Sequence, residues 1–238
     1  MIKLLKIIIP HKIKSKLKNF ESQLPSKIFF FKYNFNRHFN GLLPESYKLK
    51  REEESILNWI KDGSPVPPPH IVKQKTITEY QKIYGYSTFI ETGTFMGDMV
   101  EAQKNLFKKI YSIEIGAKLF KKAVRRFKRN KNVKIILGDS GKVLPEIISN
   151  INEPAIFWLD GHYSSGPTAK GDKNCPIFDE LDAIFNGKIS NHILLIDDAR
   201  CFVGNADYPT IEKLNEYVKN KNAKYRIEVK DDIIRFVI

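Results

Sequence analysis

From about residue 71 onward, short apolar runs alternate with stretches whose apolar residues recur at helical spacing. The runs are "STFIET" (87–92), "IYSIEI" (110–115), "VKIIL" (133–137), "AIFWLD" (155–160) and "HILLID" (192–197). Between them lie helical patterns beginning at Gly97, over 117–130, over 141–150, near 177–185 and near 210–219. A further helix, "HIVKQKTITEYQKIYG", precedes the first strand and stops at Gly85, a residue that accepts the left-handed backbone of a helix end. Nearly continuous apolar strands separated by helices predict a parallel sheet buried on both faces. The last two runs, "YRIEV" and "IIRFVI", are joined through Lys230-Asp231-Asp232 and read as an antiparallel hairpin. The predicted fold is therefore α/β: a seven-stranded sheet, mostly parallel, with one antiparallel strand from a C-terminal hairpin and helices on both faces.

Residues 1–70 lack this alternation and read as a basic N-terminal extension to a domain spanning 71–238. They hold an aromatic cluster (Phe29, Phe30, Phe31, Tyr33, Phe35, Phe39), a charged helix-like stretch near Arg51–Lys61 and the linker-like "GSPVPPPH". The alternating Phe29, Phe31, Tyr33 and Phe35 fit either a strand or a set of rings capping a core. In the first 20 residues Lys3, Lys6, Lys12, Lys14, Lys16 and Lys18 precede any acid, with Ile13, Leu17 and Phe20 at helical spacing. That pattern fits a basic amphipathic helix on an anionic membrane surface, and equally a surface helix packed on its own domain or on a partner chain. Pro10 and the lack of a small-residue cleavage site argue against a signal peptide. The whole extension is placed either to cover an active site or to build a homodimer interface.

Composition narrows the class without naming a chemistry. With 42% hydrophobic and 28% charged residues, the chain is ordinary for a globular protein rather than a disordered one. No apolar run approaches the roughly 20 residues that span a bilayer. Cys175 and Cys201 suit neither a disulfide framework nor a zinc site and fit a reducing cytoplasm; the expected location is cytoplasmic, or peripheral at the inner membrane face. The net charge of +13 permits anionic partners, but no nucleic-acid module is visible and the lysines look dispersed over solvated helix faces.

The chemistry sits where open parallel sheets place it, beyond the carboxyl ends of the strands. The first strand leads into Glu91-Thr92-Gly93-Thr94-Phe95-Met96-Gly97, whose glycines permit a sharp turn and close backbone approach. The second ends in Glu114, about 20 residues after the glycine loop, where a carboxylate can accept from both hydroxyls of a ribose. The third leads to Gly138-Asp139-Ser140, whose aspartate can accept from an adenine amino group. A second glycine that would admit a pyrophosphate is missing. Glu91 would repel phosphate but tolerate the ammonium of an amino acid.

Glu91-x-Gly93-x-x-x-Gly97, Glu114 and Gly138-Asp139-Ser140 give residues 86–238 a resemblance to the class I S-adenosylmethionine-dependent methyltransferases. The resemblance implies a Rossmann-like sheet with one antiparallel strand near its edge. It also implies a donor site built from Glu91, Thr92, Gly93, Thr94, Gly97, Glu114, Asp139 and Ser140.

Two neighbouring strands then end in acids, Asp160 and Asp197-Asp198. Three carboxylates converging on one spot would repel one another, and a divalent cation such as magnesium relieves that conflict while leaving coordination positions for substrate oxygens. The arrangement resembles the metal-dependent O-methyltransferases of the catechol and macrolide-sugar types. That resemblance implies magnesium or another divalent cation on Asp160, Asp197 and Asp198, with Asp160 taking part in catalysis. The bland alternative is a salt-bridged loop through Asp197-Asp198-Ala199-Arg200. For the general base, the related families place a lysine or histidine three positions after the metal aspartate, where this chain has Tyr163; His162, of near-neutral pKa, is the better chemical candidate. The long loop 162–176 has the length of a lid or binding loop, with Lys170 and Lys173 facing an anionic acceptor, and "VKQKT" (72–76) forms the other wall. The expected acceptor is a hydroxyl of a sugar, a glycan or a glycosylated small molecule. A metal-independent small-molecule or RNA methyltransferase, and a non-catalytic nucleotide-binding or membrane-adaptor protein, are the alternatives.

Overall fold

The computed structural model describes Tyr33, residues 42–161 and residues 173–238. Expectations on residues 1–32, on the aromatic cluster apart from Tyr33, and on His162, Tyr163 and Lys170 fall outside the described residues. The described residues from Glu52 onward belong to one compact unit, which holds the sheet and the helices around it.

Helix α1 (Glu45–Lys61) begins six residues before the charged stretch that predicted it, with Glu45 in its first turn and Lys61 in its last, the charge order that complements a helix dipole. It buries none of its residues. Helix α2 (His70–Tyr84) ends as expected at Gly85, which takes φ 67° and returns its N–H to the Gln81 carbonyl. Strand and helix then alternate: β1 (Thr88–Thr92), α3 (Asp98–Gln103), β2 (Lys109–Glu114), α4 (Ala117–Phe127), β3 (Val133–Leu137), α5 (Ser140–Ser149), β4 (Ala155–Leu159), α6 (Ile177–Phe185), β5 (Ile193–Ile196), α7 (Ile211–Lys221), β6 (Arg226–Lys230) and β7 (Ile233–Val237).

The strands lie in the order β3-β2-β1-β4-β5-β7-β6. β1 pairs in parallel with both β2 and β4, and β5 continues the parallel run. β7 runs antiparallel to β5 on one side and to β6 on the other. The single reversed strand is thus one in from the edge, because the second half of the hairpin, not the first, reaches β5. Strand order reverses between β1 and β4, which fixes the crevice where a ligand belongs in such a sheet.

Burial follows the two-residue period of the strands. Ala155, Phe157 and Leu159 of β4 enter one core with Leu144 of α5, Leu181 of α6 and Leu214 of α7. Ile156 and Trp158 enter a second core with Ile77 of α2, Val100 of α3 and Phe127 of α4. Continuous apolar runs are what a strand covered on both faces requires. β3 departs from that expectation: it is only partly buried, because it is the sheet's edge. Lys134 on β3 and Lys230 on β6 charge the two edges, a device that discourages pairing with another sheet. No helix of the described residues is long and apolar enough to cross a membrane.

Candidate active site

The glycine loop leaves β1 at the switch point. Gly93 has φ +85°, and a β-carbon there would overlap the Asp160 carbonyl oxygen at the end of β4. Glycine is therefore required by the closeness of two strand ends. The Gly93 and Thr94 amides both donate to the Ile113 carbonyl, at 2.9 and 3.0 Å, which ties the loop to β2. Gly97, at φ +77°, opens α3 with the Phe127 ring 2.7 Å from where its β-carbon would stand. Its smallness serves the packing of α4.

Glu114 is held from two directions. Its Oε2 accepts from the Phe95 amide at 2.7 Å and its Oε1 from the Gly116 amide at 2.7 Å. Burial pushes its pKa up, and the two amides pull against that shift. Each oxygen keeps a second lone pair, so the carboxylate is fixed in place while still able to accept from a diol. Glu91 is buried (2% exposed). It accepts from the Ser112 hydroxyl, which lies 2.5 Å from the Thr94 hydroxyl. Burial drives the Glu91 pKa well above its ordinary value; the Ser112 hydrogen bond opposes this, and the charges of Asp160 and Glu114 add to it.

Thr92 and Asp139, both expected at the donor, have structural work as well. The Thr92 hydroxyl accepts from the Asp160 amide at 3.1 Å, joining β1 to β4. Asp139 caps α5, accepting from the Gly141 amide at 3.0 Å. Ser140 is buried, with its hydroxyl 3.0 Å from where a β-carbon on Gly161 would stand.

The three acids meet. Leu159 pairs with Ile196, so β4 and β5 end side by side, and the Asp197 amide donates to the Leu159 carbonyl at 3.1 Å. Asp198 takes a left-handed backbone (φ 56°, ψ 48°), and its amide donates to Asp197 Oδ1 at 2.8 Å. Asp160, Asp197 and Asp198 each offer a carboxylate oxygen within 4.8 Å of the others. Oxygens sharing one magnesium shell, at about 2.1 Å from the ion, stand roughly 3–4.2 Å apart. The 4.8 Å bound on this cluster is somewhat wider, so it is the all-oxygen donor chemistry that suits a hard divalent cation, with the carboxylates drawing in around it.

The same acids hold a lysine. Lys73 Nζ lies 2.6 Å from Asp197 Oδ2 and 3.3 Å from Asp198 Oδ1. Burial alone would lower its pKa, but the two aspartates outweigh burial and leave it raised. Burial raises the Asp197 pKa, with Lys73 opposing. Arg200 pairs with Asp198 at 2.8 Å and with the buried Asp232, anchoring the acidic loop to the β6–β7 turn. The expected salt bridge within Asp197-Asp198-Ala199-Arg200 is thus present together with the three-acid cluster.

Lys73 was legible only as part of the wall "VKQKT". Its signal is its neighbourhood: Val72, Thr76 and Ile77 are the buried residues of α2, and a lysine beside that inward face needs an acid. Tyr208 carries no such signal. It is half-buried against Phe202, with ring centroids 5.5 Å apart. Burial raises its pKa, with smaller contributions from Cys175 and Cys201 and then from Asp198 and Asp160. Lys173, expected to meet an acceptor, is paired with Asp179 at 2.6 Å.

This architecture is the Rossmann-like fold found in the class I S-adenosylmethionine-dependent methyltransferases. Solved structures agree on the fold. The O-methyltransferase TomG of Streptomyces achromogenes, involved in tomaymycin synthesis and crystallised with S-adenosylmethionine, superposes with a TM-score of 0.54 at 13% identity, covering 85% of this chain and 94% of its own. An O-methyltransferase from Bacillus cereus, bound to S-adenosylhomocysteine, gives a TM-score of 0.51 at 15% identity, covering 83% and 93%. No protein-family model matches the sequence, and no curated protein matches it significantly.

Proposed function

We infer that the protein is an S-adenosylmethionine-dependent O-methyltransferase, assisted by a divalent cation, that methylates a hydroxyl of a sugar, a glycan or a glycosylated small molecule. The observation that carries the reading is the contact between Gly93 and the end of β4. It sets the donor loop directly beside the cluster of Asp160, Asp197 and Asp198. TomG and the Bacillus cereus enzyme, both O-methyltransferases by name, support the choice of oxygen as acceptor.

In this reading Glu114 accepts from the ribose hydroxyls of the donor, Asp139 receives the adenine amino group beside its capping bond, and buried Glu91 faces the donor's ammonium. The methyl passes from the donor's sulfonium to the acceptor oxygen, with loss of the hydroxyl proton and departure of S-adenosylhomocysteine. Held by Asp160, Asp197 and Asp198, a divalent cation supplies Lewis acidity that lowers the acceptor hydroxyl's pKa. His162 takes the proton, with Tyr163 beside it in sequence. The protein's share of the rate is mainly alignment of donor and acceptor.

The position of Lys73 favours a second reading, in which its ammonium alone balances the acids and no metal enters. Thermal unfolding separates the possibilities. S-adenosylhomocysteine at about 100 times its dissociation constant is expected to stabilise the fold by about 2.7 kcal/mol, while NAD gives no shift. Transfer of labelled methyl to a vicinal diol sugar is expected to stop in excess chelator. Activity that survives chelator selects the metal-free reading, and a shift with NAD alone removes the methyltransferase reading.

Residues 1–20 are proposed to hold the protein at the anionic inner face of a membrane, bringing it to lipid-linked or nascent glycans. Full-length protein is expected to sediment with anionic liposomes and a form lacking residues 1–20 to stay in the supernatant; equal sedimentation of both removes the membrane contact.

A further inference from the structure

We propose that Lys73 is the resident cation of the acidic cluster and that a divalent cation binds only by displacing it. The inference rests on the metal reading of Asp160, Asp197 and Asp198. Lys73 donates to one oxygen of Asp197 and one of Asp198, so it occupies lone pairs that a metal on these carboxylates needs. Its side chain is 12% exposed, which leaves little solvent between it and the acids to screen two positive charges.

Two cations compete at this cluster, and the geometry identifies the one that leaves. Arg200 donates to the same Asp198 oxygen as Lys73, Oδ1, at 2.8 Å, and is also held by Asp232, whose carboxylate accepts from the Arg200 backbone amide at 2.9 Å. Arg200 is anchored independently of the cluster. The ion pairs of Lys73 are with Asp197 and Asp198 themselves. Its backbone is fixed, because Val72, Thr76 and Ile77 root α2 in the protein. Release is therefore a rotation of the four-carbon stem rather than a movement of the helix. In the resting protein the lysine neutralises buried acids that would otherwise repel; in the loaded protein its expulsion weakens metal binding.

The test uses full-length protein stripped with chelator, with Mn2+ as probe. Calorimetric titration is expected to show Lys73→Met binding Mn2+ about tenfold or more tighter than the unmodified protein, because a positive charge close to the ion has been removed. Lys73→Arg keeps the charge and is expected to bind no tighter than the unmodified protein. A second measurement needs no variant: acetylation of Lys73 by an amine-reactive reagent, read by mass spectrometry, is expected to rise when Mn2+ is added. Equal Mn2+ affinity of the unmodified protein and Lys73→Met overturns the competition and leaves the metal reading intact, as does labelling that does not rise on Mn2+ saturation. Absence of Mn2+ binding by all three forms overturns the metal reading and the competition together.

Discussion

Asp160→Asn is expected to slow methyl transfer by roughly 10²–10³-fold while leaving donor binding almost unchanged. The asparagine keeps the shape of the side chain and the backbone amide that donates to Thr92, so β1 and β4 stay joined and the glycine loop stays in place. What is lost is one of three negative charges in the cluster. If the cation supplies several kcal/mol of stabilisation to the reacting oxygen, loss of a charged ligand worth about 3–4 kcal/mol lowers kcat by roughly 10²–10³-fold. The variant is predicted to bind S-adenosylhomocysteine within about twofold of the unmodified protein, because the groups assigned to the donor are on β1 and the glycine loop after it, on β2, and at the start of α5. Calorimetry for the product and single-turnover transfer of labelled methyl measure the two effects separately. Near-normal turnover would sink the role of Asp160, and loss of donor affinity of the same size would show that the acid belongs to the donor site instead.

The parts of this fold legible in the sequence are those set by local pattern. Continuous runs such as Ala155–Leu159 and Ile193–Ile196 are buried on both faces, and their apolar character alone predicted it. Gly85 stopped α2 where its left-handed backbone stops it in the structure. The helix expected over 117–130 ends earlier, at Phe127, the last residue that α4 buries; the basic residues beyond it have no core to join. Other features depend on contacts between distant segments, and local reading fails there for that reason. Gly97 reads as a ligand-loop glycine, yet the neighbour that demands its smallness is Phe127 on the following helix. Lys73 is legible only as one residue of the wall "VKQKT", because its partner Asp197 is 124 residues away. The three acids were legible as strand ends, and parallel pairing of adjacent strands then makes their convergence unavoidable. Their counter-charge was not legible, since a repulsive cluster announces the need for a cation without saying whether it is a metal or an ammonium.

Gly93→Ala is expected to damage donor binding and the acidic cluster in one stroke. The added methyl would overlap the Asp160 carbonyl oxygen and stand 3.0 Å from its carbon; because the obstacle is backbone, no side-chain rotation relieves it. A left-handed backbone conformation for alanine adds strain of about 1–3 kcal/mol. Relief requires the end of β4 to move from the end of β1, which breaks the Asp160 amide's bonds to Thr92 and shifts the Asp160 carboxylate away from Asp197 and Asp198. Affinity for S-adenosylhomocysteine is predicted to fall by about 100-fold or more, equivalent to about 2.8 kcal/mol, and Mn2+ binding is predicted to weaken in parallel. Gly85→Ala is the matched control. Gly85 also has a left-handed backbone, at φ +67°, but nothing lies within 4 Å of where its β-carbon would be. That variant is expected to lose about 1 kcal/mol of stability and to bind both ligands normally. If the two variants lose stability equally and both retain the ligands, the Gly93 contact is a turn requirement only, and the coupling of donor loop to acids through this residue is wrong. If Gly93→Ala alone loses both ligands at a temperature where it remains folded, the two half-sites are held in register by the absence of a single methyl group.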